Sequence, residues 1–341
     1  MSETRKQSGI EIPCAPITVI LPAYNGERFI RAAIESVQAQ TLPVAEIMVI
    51  DDGSTDRTAD IAEALGAKVI RQTNRGVSAA RNMGIRMASN DWIAFIDQDD
   101  LWEPEKIACQ SNAIKQYPEA SIISCYLSSF ADESVRDWMD EFESCANARK
   151  EKDSDLVYLR HVAGHLPLSR MIDYTSSILI RRDLLMAVGM FDPDLRQNED
   201  LECFLRVVAR SSLVIVRQPL VRHRVHDKNT SLGDPEGARA SYDQILDRLR
   251  KYPDKYPPKA AQAYGAVFSR NLSSTARVFL ESGRRREARA LFRQSLGRAF
   301  SVRALYLWCL SFLPSPMFEF LLSTKRRIST RFAPTLRRPD Q

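Results

Sequence analysis

The sequence lacks what would build a disulfide-stapled, zinc-bound or membrane-spanning protein. Its six cysteines are scattered through 341 residues, and none stands in a Cys-x-x-Cys pair. Such spacing offers neither a disulfide framework nor a structural zinc site, and it points to a reducing compartment. No run of about 18 apolar residues occurs, so no spanning helix is expected. Met1 to Pro16 is polar and has no apolar leader core, so a cytoplasmic location is the expectation. The Asn229-Thr230-Ser231 sequon is then an accident of composition. Charge of one sign is also scarce: 48 basic against 43 acidic residues leave a net charge of +5. That excess is too mild to indicate a nucleic-acid partner. There is no internal repeat of fixed period and no low-complexity tract.

What is present suits a soluble α/β protein. Hydrophobic residues make up 44% and charged residues 27%, enough for a sizeable core. Between residues 17 and 126, short apolar runs alternate with helical stripes. Ile17–Leu21, Glu46–Ile50, Ala67–Arg71, Trp92–Ile96 and Ala120–Tyr126 read as strands. Glu27–Gln40, Asp56–Leu65 (with Ser54 or Thr55 as N-cap), Val77–Ala88 and Pro104–Tyr117 read as helices. Strand-helix alternation with short loops predicts a mostly parallel sheet with helices on both faces. In such sheets ligands bind beyond the carboxyl ends of the strands. Further along, the charged stretch 131–160 reads as an insertion or a mobile loop. Tyr174–Ile180, Leu213–Val216 and Leu220–Val225 read as strands, and a helix begins at Arg182 and another covers Leu201–Ala209. From Glu236 the pattern is mostly helical. The expected organisation is a flexible 1–16, a catalytic domain over 17–234 and a C-terminal helical region over 235–341.

Acidic residues gather where the strands end. Asp97-Gln-Asp-Asp100 packs three carboxylates into four positions, which is costly unless positive charge sits among them. A divalent cation with oxygen ligands would suit; a solvated loop with Asp100 capping the next helix is the alternative. Asp51 and Asp52 also follow a strand and could accept hydrogen bonds from a base or ribose, although Asp-Gly-Ser is equally good turn chemistry. In Asn74–Gly84, Arg75 could pair with a phosphate or base, and Arg81 falls on a helix face that would be solvated in an ordinary amphipathic helix. Glu199-Asp200 opens a helix, where acids are favoured by the dipole in any case; a general base is the functional alternative. His223 and His226 follow the last strand and could contact a metal or diphosphate.

In order along the chain stand Val19-Ile-Leu-Pro-Ala-Tyr-Asn25, Val49-Ile-Asp-Asp-Gly-Ser-Thr-Asp56, Asn74-Arg-Gly-Val-Ser-Ala-Ala-Arg-Asn82, Ile96-Asp-Gln-Asp-Asp100, Asn198-Glu-Asp-Leu201 and Arg224-Val-His-Asp-Lys-Asn-Thr-Ser231. This series resembles the family 2 glycosyltransferases, which have the GT-A fold, a Rossmann-like nucleotide-diphospho-sugar transferase sheet. The resemblance implies inverting transfer from a nucleotide-sugar donor to a sugar or lipid-linked acceptor hydroxyl, in cell-surface polysaccharide or glycolipid synthesis. It implies that Pro22, Ala23 and Tyr24 line the nucleobase pocket, Asp51 bonds the base with Arg75 nearby, and Asp97 touches the ribose. Asp99 would bind Mg2+ or Mn2+, His226 would aim at the metal or diphosphate, and Asp200 would be the catalytic base. The Gln-x-x-Arg-Trp of processive synthases does not follow Asp200, which favours single addition.

The C-terminal region is basic and apolar in turn. Arg284, Arg285, Arg286, Arg289, Arg293, Arg298 and Arg303 face one acid, Glu287, and Leu305–Leu313 is apolar. An anionic membrane surface on the inner face of the cell membrane is therefore a candidate partner, with a helical cap as the alternative. Two rival functions remain. A nucleotidyltransferase would carry a glycine-rich loop with a lysine after the first strand, which Pro22-Ala-Tyr-Asn-Gly26 lacks. A non-catalytic sugar-nucleotide-binding subunit would have lost its acids, and Asp99 and Asp200 are both present.

Overall fold

The computed structural model describes residues 4–7, 10–129, 155–159, 174–224, 235–256, 260–281, 283–298 and 302–313. Strands β1 (Thr4–Gln7) and β2 (Ile10–Pro13) pair antiparallel by themselves. The central sheet begins with β3 (Ala15–Ala23), then helix α1 (Ile30–Gln38), β4 (Val44–Asp51), α2 (Thr58–Ala64), β5 (Lys68–Arg71), α3 (Val77–Met87) and β6 (Trp92–Phe95). Next come β7 (Leu101–Trp102), α4 (Lys106–Gln116), β8 (Ile122–Ser129), β9 (Leu156–Leu159), β10 (Leu179–Arg181), α5 (Arg182–Val188), α6 (Glu199–Val208) and β11 (Leu213–His223).

The sheet runs β5-β4-β3-β6-β10-β8-β11-β7, with β9 also paired to β11. β5, β4, β3 and β6 are mutually parallel, β10 is antiparallel to both its neighbours, and β8 and β11 run parallel to each other. The chain winds outward from β3 to β5 and then returns to β6 on the other side of β3. That reversal opens the crevice at which such sheets bind ligands. Because β10 runs backward, the residues just before it lie at the same rim as the ends of β3, β4 and β6.

Alternating side chains of β3 feed two cores. Val19, Leu21 and Ala23 pack with Ile30, Ala33, Ile34 and Val37 of α1 and with Ile107 and Ala113 of α4. Ile20 packs on the opposite face with Ala80 and Ile85 of α3 and with Phe204, Val207 and Val208 of α6. Helices therefore cover both faces, as the alternation predicts. Contact with α3 is close: a Cβ on Gly84 would lie 2.6 Å from Ile20 Cγ2, so only glycine lets this helix approach β3 at that level.

Three local expectations need correction. Tyr174–Ile180 is not one strand: Thr175–Ser177 is a 3₁₀ turn, closed by Ser177 N–H and Oγ on the Tyr174 carbonyl, and β10 starts only at Leu179. Leu213–His223 is a single strand, with register shifts on both sides of Pro219, a residue that has no N–H to give the ladder. Ser54 and Thr55 do not cap α2. They turn to Asn25, and the Asp56 carboxylate takes the Thr58 N–H instead. Within 131–160, the described residues Leu156–Leu159 form a strand on β11.

The chain divides into two compact units, 1–261 and 262–341. Helix α7 (Pro235–Lys251) belongs to the first, α8 (Ala260–Glu281) crosses the division, and α9 (Arg285–Arg298) and α10 (Val302–Leu310) belong to the second. The second unit has its own core of Ala276, Leu280, Ala288, Phe292, Ala304, Leu307 and Leu310. Among the described residues no helix is long and apolar enough to cross a membrane.

Candidate active site

Four chain segments meet at the rim where β3, β4 and β6 end. Pro22 and Ala23 finish β3 in register with Ile50 and Asp51. Both are buried, while Tyr24 is 47% exposed. The Tyr24 backbone is held at both ends by one side chain, its N–H donating to Gln98 Oε1 (3.0 Å) and its carbonyl accepting from Gln98 Nε2 (3.3 Å). Asp51 is buried, and its Oδ1 accepts the Ser54 N–H at 3.2 Å. Neighbouring Asp52 shapes the next loop rather than facing outward. Its carboxylate accepts the backbone N–H groups of Arg75 and Gly76, each at 2.8 Å, and Gln72 Nε2 at 2.7 Å. Arg75 is thereby fixed by its backbone with its side chain exposed.

The loop after β6 is held by Arg81, Ser176, His223 and Arg224. Asp97 accepts from Arg81 Nη2 at 2.8 Å. Asp100 is buried, accepting from Ser176 Oγ at 2.6 Å and lying 3.0 Å from His223 Nδ1. The carbonyl of Asp99 accepts from Arg224 Nε at 3.0 Å, and its side chain is partly exposed. Burial disfavours the His223 imidazolium, but Asp100, with Asp99 and Asp97 behind it, outweighs this and moves the ring above its ordinary value. Asp100 thus fastens β11 to this loop and does not cap α4.

Arg81 is the residue that sequence reasoning misplaced. It does not lie on a solvated face: its side chain is 4% exposed, and its guanidinium stands 5.3 Å from the Phe191 ring centroid. Besides Asp97 it binds Glu199 Oε1 at 2.6 Å. Burial works against its charge, yet Asp97, Glu199 and Asp200 more than compensate and raise it. The signal was in the sequence: Val77, Arg81, Gly84 and Ala88 share one helical stripe with small residues, a position for close packing. Thr175 and Ser176 were likewise absent from the expected site, and Asp52, expected as a possible acceptor for base or ribose, binds the Arg75 loop instead.

Asp200 stands beside Glu199 in the first turn of α6. Its Oδ1 accepts the Leu201 N–H at 2.7 Å, and Thr175 Oγ1 lies 3.4 Å from its Oδ2. Burial is the largest influence on it, followed by Glu199; Arg81 and the Leu201 N–H oppose them, and the carboxyl is pushed up to about 7. Asp97 and Asp200, far apart in sequence, both feel the charge of Arg81. His226 lies outside the described residues. Among the described residues no three His, Cys, Asp or Glu side chains gather around a common cation position.

Residues 18–189 match the family model described as Glycosyl transferase family 2. The chain belongs to this family. An uncharacterized glycosyltransferase of Rickettsia typhi is 28% identical over 240 residues, which cover 69% of this chain and 73% of that one. Two solved structures share the fold at low identity. Crystalline Staphylococcus aureus TarS 1–349 in complex with UDP-GlcNAc is 18% identical with a TM-score of 0.59, covering 83% of this chain and 81% of that one. The match spans 50% of a longer TarS chain. The mannosyltransferase PcManGT from Pyrobaculum calidifontis, in complex with GDP-Man and Mn2+, is 19% identical with a TM-score of 0.56, covering 90% and 83%. The protein is accordingly a glycosyltransferase of GT-A architecture.

The raised Asp200 carboxyl has a consequence for stability. A group lifted in the folded state favours folding while it is neutral; that benefit is complete below its unfolded value, about pH 4, and is lost as pH rises through about 7. Asp200→Asn keeps an oxygen for the Leu201 N–H and removes the buried charge. Its free energy of unfolding, and with it its melting temperature, should exceed the parent's by a margin that grows from about pH 4 to about pH 7 and then levels off, at no more than about 4 kcal/mol. Thermal denaturation of both proteins across this range checks it; a margin independent of pH would contradict the assignment.

Proposed function

We propose that this glycosyltransferase transfers a sugar from a nucleoside-diphosphate donor to an acceptor hydroxyl with inversion, using Asp200 as general base. The observation that carries this reading is the Asp97–Arg81–Glu199 bridge, which brings the acidic loop after β6 beside a carboxylate raised to about 7. A base near neutrality takes a proton efficiently, and a carboxyl at about 7 is about half ionised at pH 7 and more so above it. Asp200 removes the acceptor proton as the acceptor oxygen forms its bond to the anomeric carbon. The bond from that carbon to the diphosphate breaks on the opposite face, and the nucleoside diphosphate leaves with the bonding pair. No covalent sugar–enzyme intermediate is required.

On the donor side, Pro22, Ala23 and Tyr24 line the nucleobase pocket, Asp51 accepts from the base, Arg75 lies beside it and Asp97 faces the ribose. Asp97 bonds Arg81, and Asp100 bonds Ser176 and His223; in the same loop the partly exposed Asp99 is the carboxylate we assign to a cation. One carboxylate plus phosphate oxygens is a donor set that suits Mg2+ or Mn2+ bound together with the nucleotide. Asp99 would hold the ion, His226 would approach the ion or the diphosphate, and the ion would neutralise charge on the leaving group. The Mn2+ in the complex of the mannosyltransferase supports this choice.

We assign transfer to residues 17–234 and surface contact to 235–341. In the second unit, Val302, Tyr306 and Phe312 are exposed, and the Arg289 guanidinium lies 4.2 Å from the Phe312 ring centroid. Exposed apolar residues beside arginine suit the inner, anionic face of a cell membrane, where lipid-linked acceptors for surface polysaccharide or glycolipid are found.

Asp200→Asn should lower turnover about 10²- to 10⁴-fold while leaving donor affinity by calorimetry near the parent's; an equal loss of both would remove Asp200 from the role of base. Asp99→Ala should abolish the Mn2+-dependent increment in thermal stabilisation by UDP-GlcNAc or GDP-Man, whichever the parent binds. An increment of unchanged size would refute the metal assignment. The full chain should float with vesicles containing anionic lipid and stay in solution with neutral ones; absence of flotation at low salt would end the membrane proposal.

A further inference from the structure

The 3₁₀ turn Thr175–Ser177 lies where the loop after β6 meets α6. Ser176 Oγ accepts the Asp97 N–H at 3.1 Å and donates to Asp100 at 2.6 Å. One residue earlier, Thr175 Oγ1 lies 3.4 Å from Asp200 Oδ2. Both residues are buried. Two adjacent hydroxyls therefore tie the donor-side acids to the base-side acid.

The carbonyls of the same turn are gripped from below. Trp102 Nε1–H donates to the Ser176 carbonyl at 3.0 Å, and Gln110 Nε2 donates to the Ser177 carbonyl at 2.9 Å. Gln110 can present its NH₂ to that carbonyl only when its oxygen points the other way. Lys106 Nζ donates to this oxygen at 2.9 Å. An ammonium has donors only, so a flipped Gln110 would set N–H against N–H. The same ammonium sits 3.9 Å from the Trp102 ring centroid, holding the indole by cation–π attraction.

Lys106 is wholly buried and, among the described residues, forms no ion pair with a carboxylate. Burial pulls its ammonium down to about 8. A lysine there is costly, and an apolar side chain of similar length would fill the space more cheaply. Its contacts supply a reason for its presence.

We propose that Lys106, Gln110 and Trp102 form a buried positioning set that fixes the Thr175–Ser177 turn, and through it the separation between the Asp97–Asp100 loop and Asp200. This inference rests on Asp200 being the base. Asp200 is faced by Glu199 and the Leu201 N–H on its own helix, by Arg81 of α3, by Asp97 of the loop and by Thr175 of the turn. The Thr175 hydroxyl favours the charged carboxylate, so its removal pushes the carboxyl upward.

The test measures release of nucleoside diphosphate from UDP-GlcNAc or GDP-Man with Mn2+, whichever the parent turns over, as a function of pH. Thr175→Val should shift the acid limb of kcat/KM up by about half to one pH unit and lower kcat several-fold. Thr175→Ser should restore both. Lys106→Met should lower kcat about tenfold and change donor KM by less, because the displaced turn alters the separation between the Asp97–Asp100 loop and Asp200 more than it alters nucleotide binding. An unmoved acid limb in Thr175→Val, or parental kcat in Lys106→Met, overturns the inference. Asp200→Asn separates the two ideas. If it retains parental turnover, the base assignment itself fails. If it is inactive while Thr175→Val and Lys106→Met behave as the parent, only the positioning set is wrong.

Discussion

The site depends on one buried guanidinium. Arg81 comes from α3, on one side of the sheet reversal, and holds Asp97 from β6 and Glu199 from α6. Without that cation, Asp97, Glu199 and Asp200 would be left facing one another in a largely buried space. Repulsion would then drive α6 away from the loop or force protons onto the acids. With it, two acids are balanced and the third is left only partly compensated. The same side chain that ties the segments together also limits how far burial and Glu199 raise Asp200, and the fork of an arginine, able to serve two carboxylates in different directions, fits this task better than a lysine would.

Around this pair the rim is assembled by short polar links. Asp52 organises the loop carrying Arg75, Gln98 fixes the Tyr24 backbone, Ser176 joins both ends of the Asp97–Asp100 loop, and Asp100 reaches His223 at the end of β11. Each link connects segments distant in sequence, so the crevice is defined by side chains that bind neighbouring backbone. The acids left to face outward are few, and this division of labour explains why a stretch as acidic as Asp97–Asp100 is tolerated in the folded chain.

Much of this was legible beforehand. Strands ending at Ala23, Asp51 and Phe95 follow, to within two residues, from apolar runs cut by turn chemistry, and the parallel order follows from helices placed between them. The rim location of Asp51, Asp97 and Asp99 follows from the rule that loops after parallel strands carry the site; Asp200, in the first turn of a helix, was singled out by the family resemblance. What escaped was pairing. Arg81 shares a helical stripe with Gly84 and Ala88, but no periodicity names its two acidic partners, and a charged residue on a helix is normally solvated. Nor could Tyr174–Ile180 reveal a turn, because serine and threonine suit strand and turn alike and only the Tyr174 carbonyl's partners decide. Pro219 within an apolar run looked like a gap between strands. The structure carries the strand through it by slipping register.

That slip has a geometric consequence for His223. From the pair Leu213–Ile122 to the pair His223–Ser129, ten steps on β11 match seven on β8. At roughly 3.3 Å per residue, the surplus draws the end of β11 back by about 10 Å. An odd surplus also reverses which side of the sheet each later side chain addresses. A regular ladder would carry the imidazole past the rim and turn it to the other face, so the irregularity around Pro219 acts as a spacer that delivers a ring to Asp100. Relatives whose corresponding strand differs there by one residue would have to anchor this loop with a different side chain.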